Sequence, residues 1–236
     1  MSGVELRVLS WNVRGLRDDR QALVRVVRDL EPDVFCVQES PKYLRWRSKC
    51  AALAGDCGLL YVTGGGTTGG SALLVHLRVD VRRAEELCLS RQFGWPSRGV
   101  AAAEVRKGGA TLVVGSIHLP LDPGERLAHA ARVTALCRSL EPPQALVAGD
   151  INERPGHAAW RAFADGGLRD LGPGTGPTFP AADPTKRIDG ILATDGVELV
   201  SYEVVDRPDV PRASDHRPLL ATVRVPLGEH AVTDLA

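Results

Sequence analysis

The stretches LLYVTGGGTTGGSALLVHL at residues 59–77 and VAAAEVRKGGATLVVGSIH at residues 100–118 decide the fold. They hold four apolar or alternating runs, Leu59–Thr63, Ser71–Leu77, Val100–Val105 and Thr111–His118, which read as successive strands. Four strands in a row break the strand–helix alternation that a single doubly wound sheet requires. Outward from this block, further strands are predicted at Val4–Trp11, Val34–Gln38, Ala145–Ala148, Ile188–Ala193, Leu199–Val204 and Leu219–Val225. Helical periodicity marks Asp19–Leu30, Glu125–Leu140 and His157–Asp165, and a further helix is expected over Tyr43–Leu53. Strands outnumber helices by more than two to one, which predicts an α/β fold of two packed sheets with helices outside. The glycine run Gly64–Gly70 lies between two strands and reads as a hairpin loop. A phosphate cradle would need GxxxxGK, then Ser or Thr and a helix, and neither follows.

Composition narrows the function. The 236 residues carry 29 Lys+Arg against 29 Asp+Glu, so the chain lacks the basic surplus of a polyanion-coating protein. With 44% apolar residues and mixed charges it is not a disordered acidic chain. The length suits one large domain, expected over 1–227, followed by a loose tail at 228–236. Five cysteines form no CxxC or CxxH pair and suggest reduced thiols, hence a cytoplasmic protein. The chain opens directly on a strand pattern with no leader-like segment, and no apolar run is long enough to span a membrane.

Polar residues collect where the strands end. Asn12 closes the first strand and Glu39 follows the second. His118 ends the run from Thr111, Asp150 and Asn152 follow Ala145–Ala148, Asp189 opens a late strand, and Asp215-His216 precedes the last. Strand ends of packed sheets share a rim where loops let polar groups meet substrate. One such residue alone reads as a turn or a solvated end; six such events at six strand ends read as a site. Carboxylates and amides without thiolates suit a hard cation such as Mg²⁺ or Mn²⁺. Together with two imidazoles they suit phosphoester hydrolysis.

The motifs WNVRG at 11–15, QES at 38–40, SIHL at 116–119, GDINERP at 149–155, RIDGIL at 187–192 and SDHRPL at 214–219 occur in an order that resembles the endonuclease/exonuclease/phosphatase superfamily, across about Leu6–Val225. The resemblance implies a four-layer α/β sandwich, two mixed sheets flanked by helices. It implies a metal-dependent phosphoric ester hydrolase with Asn12, Glu39 and Asp215 on the metal side. His118 would contact the scissile phosphate or leaving group. Asp150 would orient or activate water, with Asn152 supporting it, and Asp189 would pair with His216.

Departures from relatives within that superfamily bear on substrate. Lys186 stands where abasic-site enzymes place a Trp before the RID motif. The aromatic-cysteine motif of inositol phosphatases is missing, and no Asp or Glu between Gly64 and Arg78 offers an acidic partner for His118. Basic clusters follow Asn12 (Arg14, Arg17, Arg20) and Glu39 (Lys42, Arg45, Arg47, Lys49), the second interleaved with Tyr43 and Trp46. Such clusters suit a nucleic-acid backbone and stacked bases, or else a solvated helix face. Arg98 and Arg154 are candidates to hold a substrate phosphate. Phe93-Gly94-Trp95-Pro96 reads as an exposed aromatic loop. The expected substrate is a phosphodiester of DNA or RNA. The alternatives are a small phosphorylated molecule or phospholipid headgroup, or a catalytically silent binding module. No partner protein and no membrane insertion are expected.

Overall fold

In a computed structural model of the chain, residues 3–138 and 144–228 are described, apart from the side chains at 95 and 96. The elements in chain order are β1 (Gly3–Asn12), α1 (Arg20–Leu30), β2 (Val34–Gln38), α2 (Trp46–Asp56), β3 (Leu60–Gly64), β4 (Ala72–Val75), β5 (Asp80–Gln92), β6 (Trp95–Lys107), β7 (Ala110–His118), α3 (Pro123–Arg138), β8 (Ala145–Asp150), α4 (Ala158–Asp165), β9 (Arg169–Asp170), β10 (Asp189–Ala193), β11 (Glu198–Val204), α5 (Val210–Ala213) and β12 (Leu219–Pro226). One six-stranded sheet runs β11-β12-β1-β2-β4-β3, and the other runs β5-β6-β7-β8-β10-β9. Both are mixed: β1–β2 and β7–β8 are parallel, and the remaining pairs are antiparallel.

Alternation along each strand builds the layers. In β1, Leu6 and Val8 join the core between the sheets, while Leu9 and Trp11 face outward beneath α1. The inner core also takes Ala101, Ala103, Ala148, Ala193 and Ala221, small residues that let the sheets approach closely. On the outer face of the first sheet, α1 buries Ala22, Leu23, Val26, Val27 and Leu30. On the other side, α3 and α4 bury Ala130, Val133, Cys137, Trp160 and Phe163 against β7, β8 and β10. The order helix, sheet, sheet, helix is the four-layer sandwich expected from the sequence.

Helix boundaries follow their caps. Asp19 Oδ1 accepts from Ala22 N at 3.0 Å and starts α1. Asp122 Oδ1 accepts from Glu125 N at 2.9 Å ahead of Pro123, so α3 begins two residues before the predicted Glu125. Positions 139 and 140 of that predicted helix, and the expected tail from 229 onward, lie outside the described residues. The helix expected over Tyr43–Leu53 starts later, at Trp46, because Arg45 takes a left-handed backbone (φ 58°).

Strand β5 is absent from the sequence prediction. Among the described residues it is an edge strand paired only with β6, its first seven residues are exposed, and charges replace the apolar alternation. The glycine run 64–70 does connect antiparallel β3 and β4, as a hairpin loop does. Its backbone is a packing surface as well: a Cβ on Gly66 would come within 2.6 Å of the Trp46 indole, and one on Gly69 within 2.4 Å of the Ser97 carbonyl. No helix among the described residues is long and apolar enough to cross a membrane.

The rim where β7 and β8 end depends on a close backbone approach. A Cβ on Gly149 would lie 1.9 Å from the Ile117 carbonyl oxygen, beside His118 and Asp150. We predict that Gly149→Ala destabilises the fold by about 3 kcal/mol, the upper part of the range for overpacking. Urea denaturation measures this, and a loss below about 1 kcal/mol would mean that the two strands can part there freely.

Candidate active site

Strand register assembles the site before any side-chain contact is considered. Across the second sheet, parallel β7–β8 sets His118 opposite Asp150, and antiparallel β8–β10 sets Asp189 opposite Asp150. His118, Asp150 and Asp189 therefore form one row. In the first sheet, parallel β1–β2 sets Asn12 opposite Gln38, the residue before Glu39. The two rows meet through Asn12, whose Nδ2 donates to Glu39 Oε1 and to Asp150 Oδ2, each at 3.1 Å. Asn12 Oδ1 accepts from the Arg14 amide at 3.0 Å. A buried polar pin lies behind it: Gln38 Nε2 donates to Ser116 Oγ at 3.2 Å, and Ser116 Oγ donates to the Val37 carbonyl at 2.9 Å.

The loop before β12 completes the row. His216 Nδ1 lies 3.0 and 3.1 Å from the Asp189 carboxylate oxygens, and Thr178 Oγ1 donates to Asp189 Oδ2 at 2.5 Å. The Phe179 ring sits 4.9 Å from the His216 ring. Trp11 Nε1 donates to the His216 carbonyl at 2.7 Å, and Ser214 Oγ donates to the Asn12 carbonyl at 2.6 Å. His216 Nε2 and His118 Nε2 stand 3.8 and 3.5 Å from Asp150 Oδ2. Asp150 Oδ2 thus faces Asn12 and both imidazoles.

The electrostatics separate the two histidines. Burial pushes the His118 pKa well below its ordinary value, and Arg98, His216 and Lys42 push the same way. Its Nδ1 is buried with no partner among the described residues, in keeping with the missing acidic residue noted in the sequence. Burial also opposes the charged form of His216, but the Asp189 carboxylate, by charge and hydrogen bond, and then Asp150 and Asp215 outweigh it, raising the pKa to about 9. Asp150 is held above the carboxylate range by burial first and by Asp189 second.

The remaining expected residues are placed as follows. Glu39 is half-buried and takes a left-handed backbone (φ 51°), braced by Gly15 N on its carbonyl at 2.9 Å; this reverses the chain just beyond β2. Asn152 also has a positive φ (56°), donates its amide to Asp150 Oδ1 at 2.9 Å, and anchors Nδ2 on the Leu119 carbonyl at 2.8 Å. Asp215 is half-exposed and pairs with Arg14 Nε at 3.3 Å. Arg98 is half-buried with its Nε unpartnered; burial lowers its pKa against the pull of Asp150 and Glu39. Arg154 is not brought to the cluster: it is exposed and reaches the Thr185 carbonyl at 3.4 Å. Lys186 lies 5.9 Å from the Phe179 ring centroid, so an aromatic does flank His216, supplied by a residue other than the one before Arg187.

Sequence reasoning missed Thr178, Phe179 and the pairing of Arg14 with Asp215. Thr178 and Phe179 sit in a Gly/Pro-rich stretch with no strand or helix period. Only the chain path brings them to Asp189 and His216.

The donor set fits a divalent cation. Asp150, Asp189 and His216 offer ligand atoms within 4.8 Å of one another, and carboxylate oxygens suit a hard ion. His216 Nδ1 is already engaged by Asp189, while Glu39 and Asp150 each accept from the one Asn12 amide.

Two lobes that share Lys42 and Tyr43 open at the rim, and Glu39 lines the first of them. One, of about 530 Å³, is lined by Arg17, Arg20, Lys42, Tyr43 and Lys49 as well as Glu39. The other, of about 250 Å³, shares Lys42 and Tyr43 and adds Phe93 and Arg98. Arg17 and Arg20 of the first basic cluster and Lys42 and Lys49 of the second therefore line the opening, Arg45 and Arg47 line neither lobe, and Trp46 is accounted for by packing on the glycine loop.

A family model described as the endonuclease/exonuclease/phosphatase family matches residues 9–216. No curated protein matches the chain. Among solved structures, an endonuclease/exonuclease/phosphatase from Bacteroides vulgatus is 17% identical, with TM-score 0.79, covering 94% of this chain and 99% of that one. D. rerio TDP2, solved with a single-strand DNA product, is 20% identical, with TM-score 0.71, covering 93% of this chain and 98% of that one. A mannosyl-6-phosphatase from Bacteroides thetaiotaomicron is 19% identical, with TM-score 0.71, covering 92% and 99%.

The His216 shift has a measurable consequence. Its pKa rises on folding from 6.5 to about 9, so the stability it contributes is fully present below about pH 6.5 and is lost as pH rises through 9. In metal-free buffer, the advantage of the parent over His216→Gln should be about 3 kcal/mol smaller at pH 10 than at pH 6. Denaturant titrations at the two pH values test this. An advantage that does not change with pH contradicts the pairing.

Proposed function

The chain belongs to the endonuclease/exonuclease/phosphatase family, and we propose that it is a divalent-metal-dependent phosphodiesterase acting on nucleic acid. The observation that carries the reading is the Asn12 bridge, which holds Glu39 and Asp150 together while both imidazoles approach Asp150 Oδ2. A bound Mg²⁺ or Mn²⁺, held by Glu39 with Asp150 beside it and Asp215 on the same side, would neutralise charge on the phosphoryl oxygens.

The chain's own groups supply the rest. Asp150, fixed by Asn12 Nδ2 and the Asn152 amide, orients the attacking water and accepts its proton at a carboxylate oxygen. His216, held cationic by Asp189, sets a positive imidazole against the charge that develops on the phosphoryl group. His118, kept neutral by burial and by nearby Arg98 and Lys42, offers a ring N–H to the leaving oxygen or a phosphoryl oxygen. Arg98, half-buried and without an ion pair among the described residues, is suited to bind a non-bridging oxygen, since a phosphate would satisfy its open Nε donor. The five free cysteines support a reducing, cytoplasmic setting.

Glu39→Ala is expected to abolish metal-stimulated hydrolysis of bis-p-nitrophenyl phosphate. Asp150→Asn and His216→Ala should each lower kcat by roughly 10²–10⁴ without unfolding the chain. Turnover equal to the parent in any of these variants contradicts the assignment. A panel of DNA, RNA, sugar phosphates and phosphoinositides with Mg²⁺ or Mn²⁺ decides the substrate. Inactivity on every nucleic acid, with phosphate released from a monoester, rejects the nuclease reading in favour of a small-molecule phosphatase.

A further inference from the structure

The two lobes that share Lys42 and Tyr43 hold features that hydrolysis of a phosphodiester bond does not itself require. Arg17, Lys42 and Lys49 make no ion pair among the described residues, whereas Arg20 on the same wall is neutralised by Asp56 at 2.6 Å. These three cations gather around a cavity of about 530 Å³ that opens at a metal-side carboxylate. The adjoining lobe presents two large aromatics to solvent, Tyr43 at 75% and Phe93 at 94% exposure. Exposed singly they would need no explanation, but here two aromatics line one lobe beside the cations. Tyr43 and Phe93 come from different segments, the loop before α2 and the tip of the β5–β6 hairpin, and line the same lobe. Lys42 belongs to both lobes, and Arg98 lines the aromatic one.

Cations without ion pairs beside exposed aromatics, with Lys42 Nζ 5.7 Å from the Tyr43 ring centroid, match a chain of phosphates carrying unpaired bases. Each base can stack on a ring face, while the backbone phosphates take the lysines and arginine. In a duplex the base faces are already covered by neighbouring bases. A phosphorylated sugar or polyol matches the cations but leaves the aromatics unused. Resting on the phosphodiesterase reading above, we propose that the two lobes form one track for a single-stranded polynucleotide. The scissile phosphate lies at Asp150, His118 and Arg98. A neighbouring phosphate lies in the lobe of Arg17, Lys42 and Lys49, and a base stacks between Tyr43 and Phe93.

The test is equilibrium binding of the full chain in EDTA, read by anisotropy of fluorescein-labelled dT12 and rU12, a 12-base-pair duplex, and inositol hexakisphosphate as competitor. Single strands should bind at least about tenfold tighter than the duplex. Phe93→Ala and Tyr43→Ala should each weaken dT12 by about tenfold, with Phe93→Trp restoring it. The double change Lys42→Ala, Lys49→Ala should reduce the slope of log affinity against log salt by about 1.4, corresponding to two lost phosphate contacts on a single strand. Phe93 is almost fully exposed, so its replacement removes no core packing. Equal binding of duplex and single strand overturns the proposal, as does dT12 affinity that ignores both aromatic changes, or hexakisphosphate displacing dT12 with no aromatic dependence. The readout needs no turnover. Single strands held as expected by an enzyme that cleaves no phosphodiester would refute the catalytic reading alone, and bis-p-nitrophenyl phosphate cleavage without single-strand binding would refute the track alone.

Discussion

One side-chain amide joins the two halves of the site. Asn12 ends a strand of the first sheet and donates to Glu39 of that sheet's rim and to Asp150 of the other. Two carboxylates brought so near without a cation repel each other and lose hydration. A neutral double donor is the group that can stand between them without adding charge. The rest of the rim serves to keep that amide in place: Ser214 on its backbone carbonyl, Arg14 N on its side-chain oxygen, and the Gln38–Ser116 pin behind it. The close approach of β7 and β8 at Gly149 brings Asp150 within its reach.

Burial then gives identical residue types opposite characters. His118 and His216 both face Asp150 Oδ2, yet one is driven neutral and the other is held cationic. The difference lies in the partners: Asp189 pairs with His216, whereas Arg98 and Lys42 stand near His118 and its Nδ1 has no partner among the described residues. A site with one neutral and one charged imidazole around a raised carboxylate has distinct proton donors and acceptors near neutral pH. The same burial that tunes Asp150 works against the folded state when the carboxylate is ionised and no cation is bound. The rim therefore trades stability for function.

Much of the fold was legible because its signals are local. The alternation in Val4–Trp11, the buried runs at Val34–Gln38 and Ala145–Ala148, and the apolar face of Asp19–Leu30 all reflect residues packing on one side or both. β5 escaped because an exposed edge strand needs no apolar face, and its pairing with β6 is a backbone matter that composition does not record. The start of α2 shifted because a left-handed turn at Arg45 carries no glycine to announce it. In the site, polar residues at strand ends were visible one by one. Thr178 and Phe179 were not, since a Thr and a Phe in a Gly/Pro-rich loop look like any loop residues.

By itself the sequence determined the class of fold, the family, and the residue types that meet at the rim, because periodicity and motif order are written along the chain. The tertiary structure decided which of those residues touch, and so what each can do. It set Asn12 between two carboxylates, gave Asp189 to His216, left His118 Nδ1 without a partner among the described residues, left Arg154 outside the cluster, and brought Tyr43 and Phe93 to one lobe. These are outcomes of strand register and of burial. Both depend on how distant segments pack, and neither the reach of a side chain nor the loss of its water can be read from the order of residues.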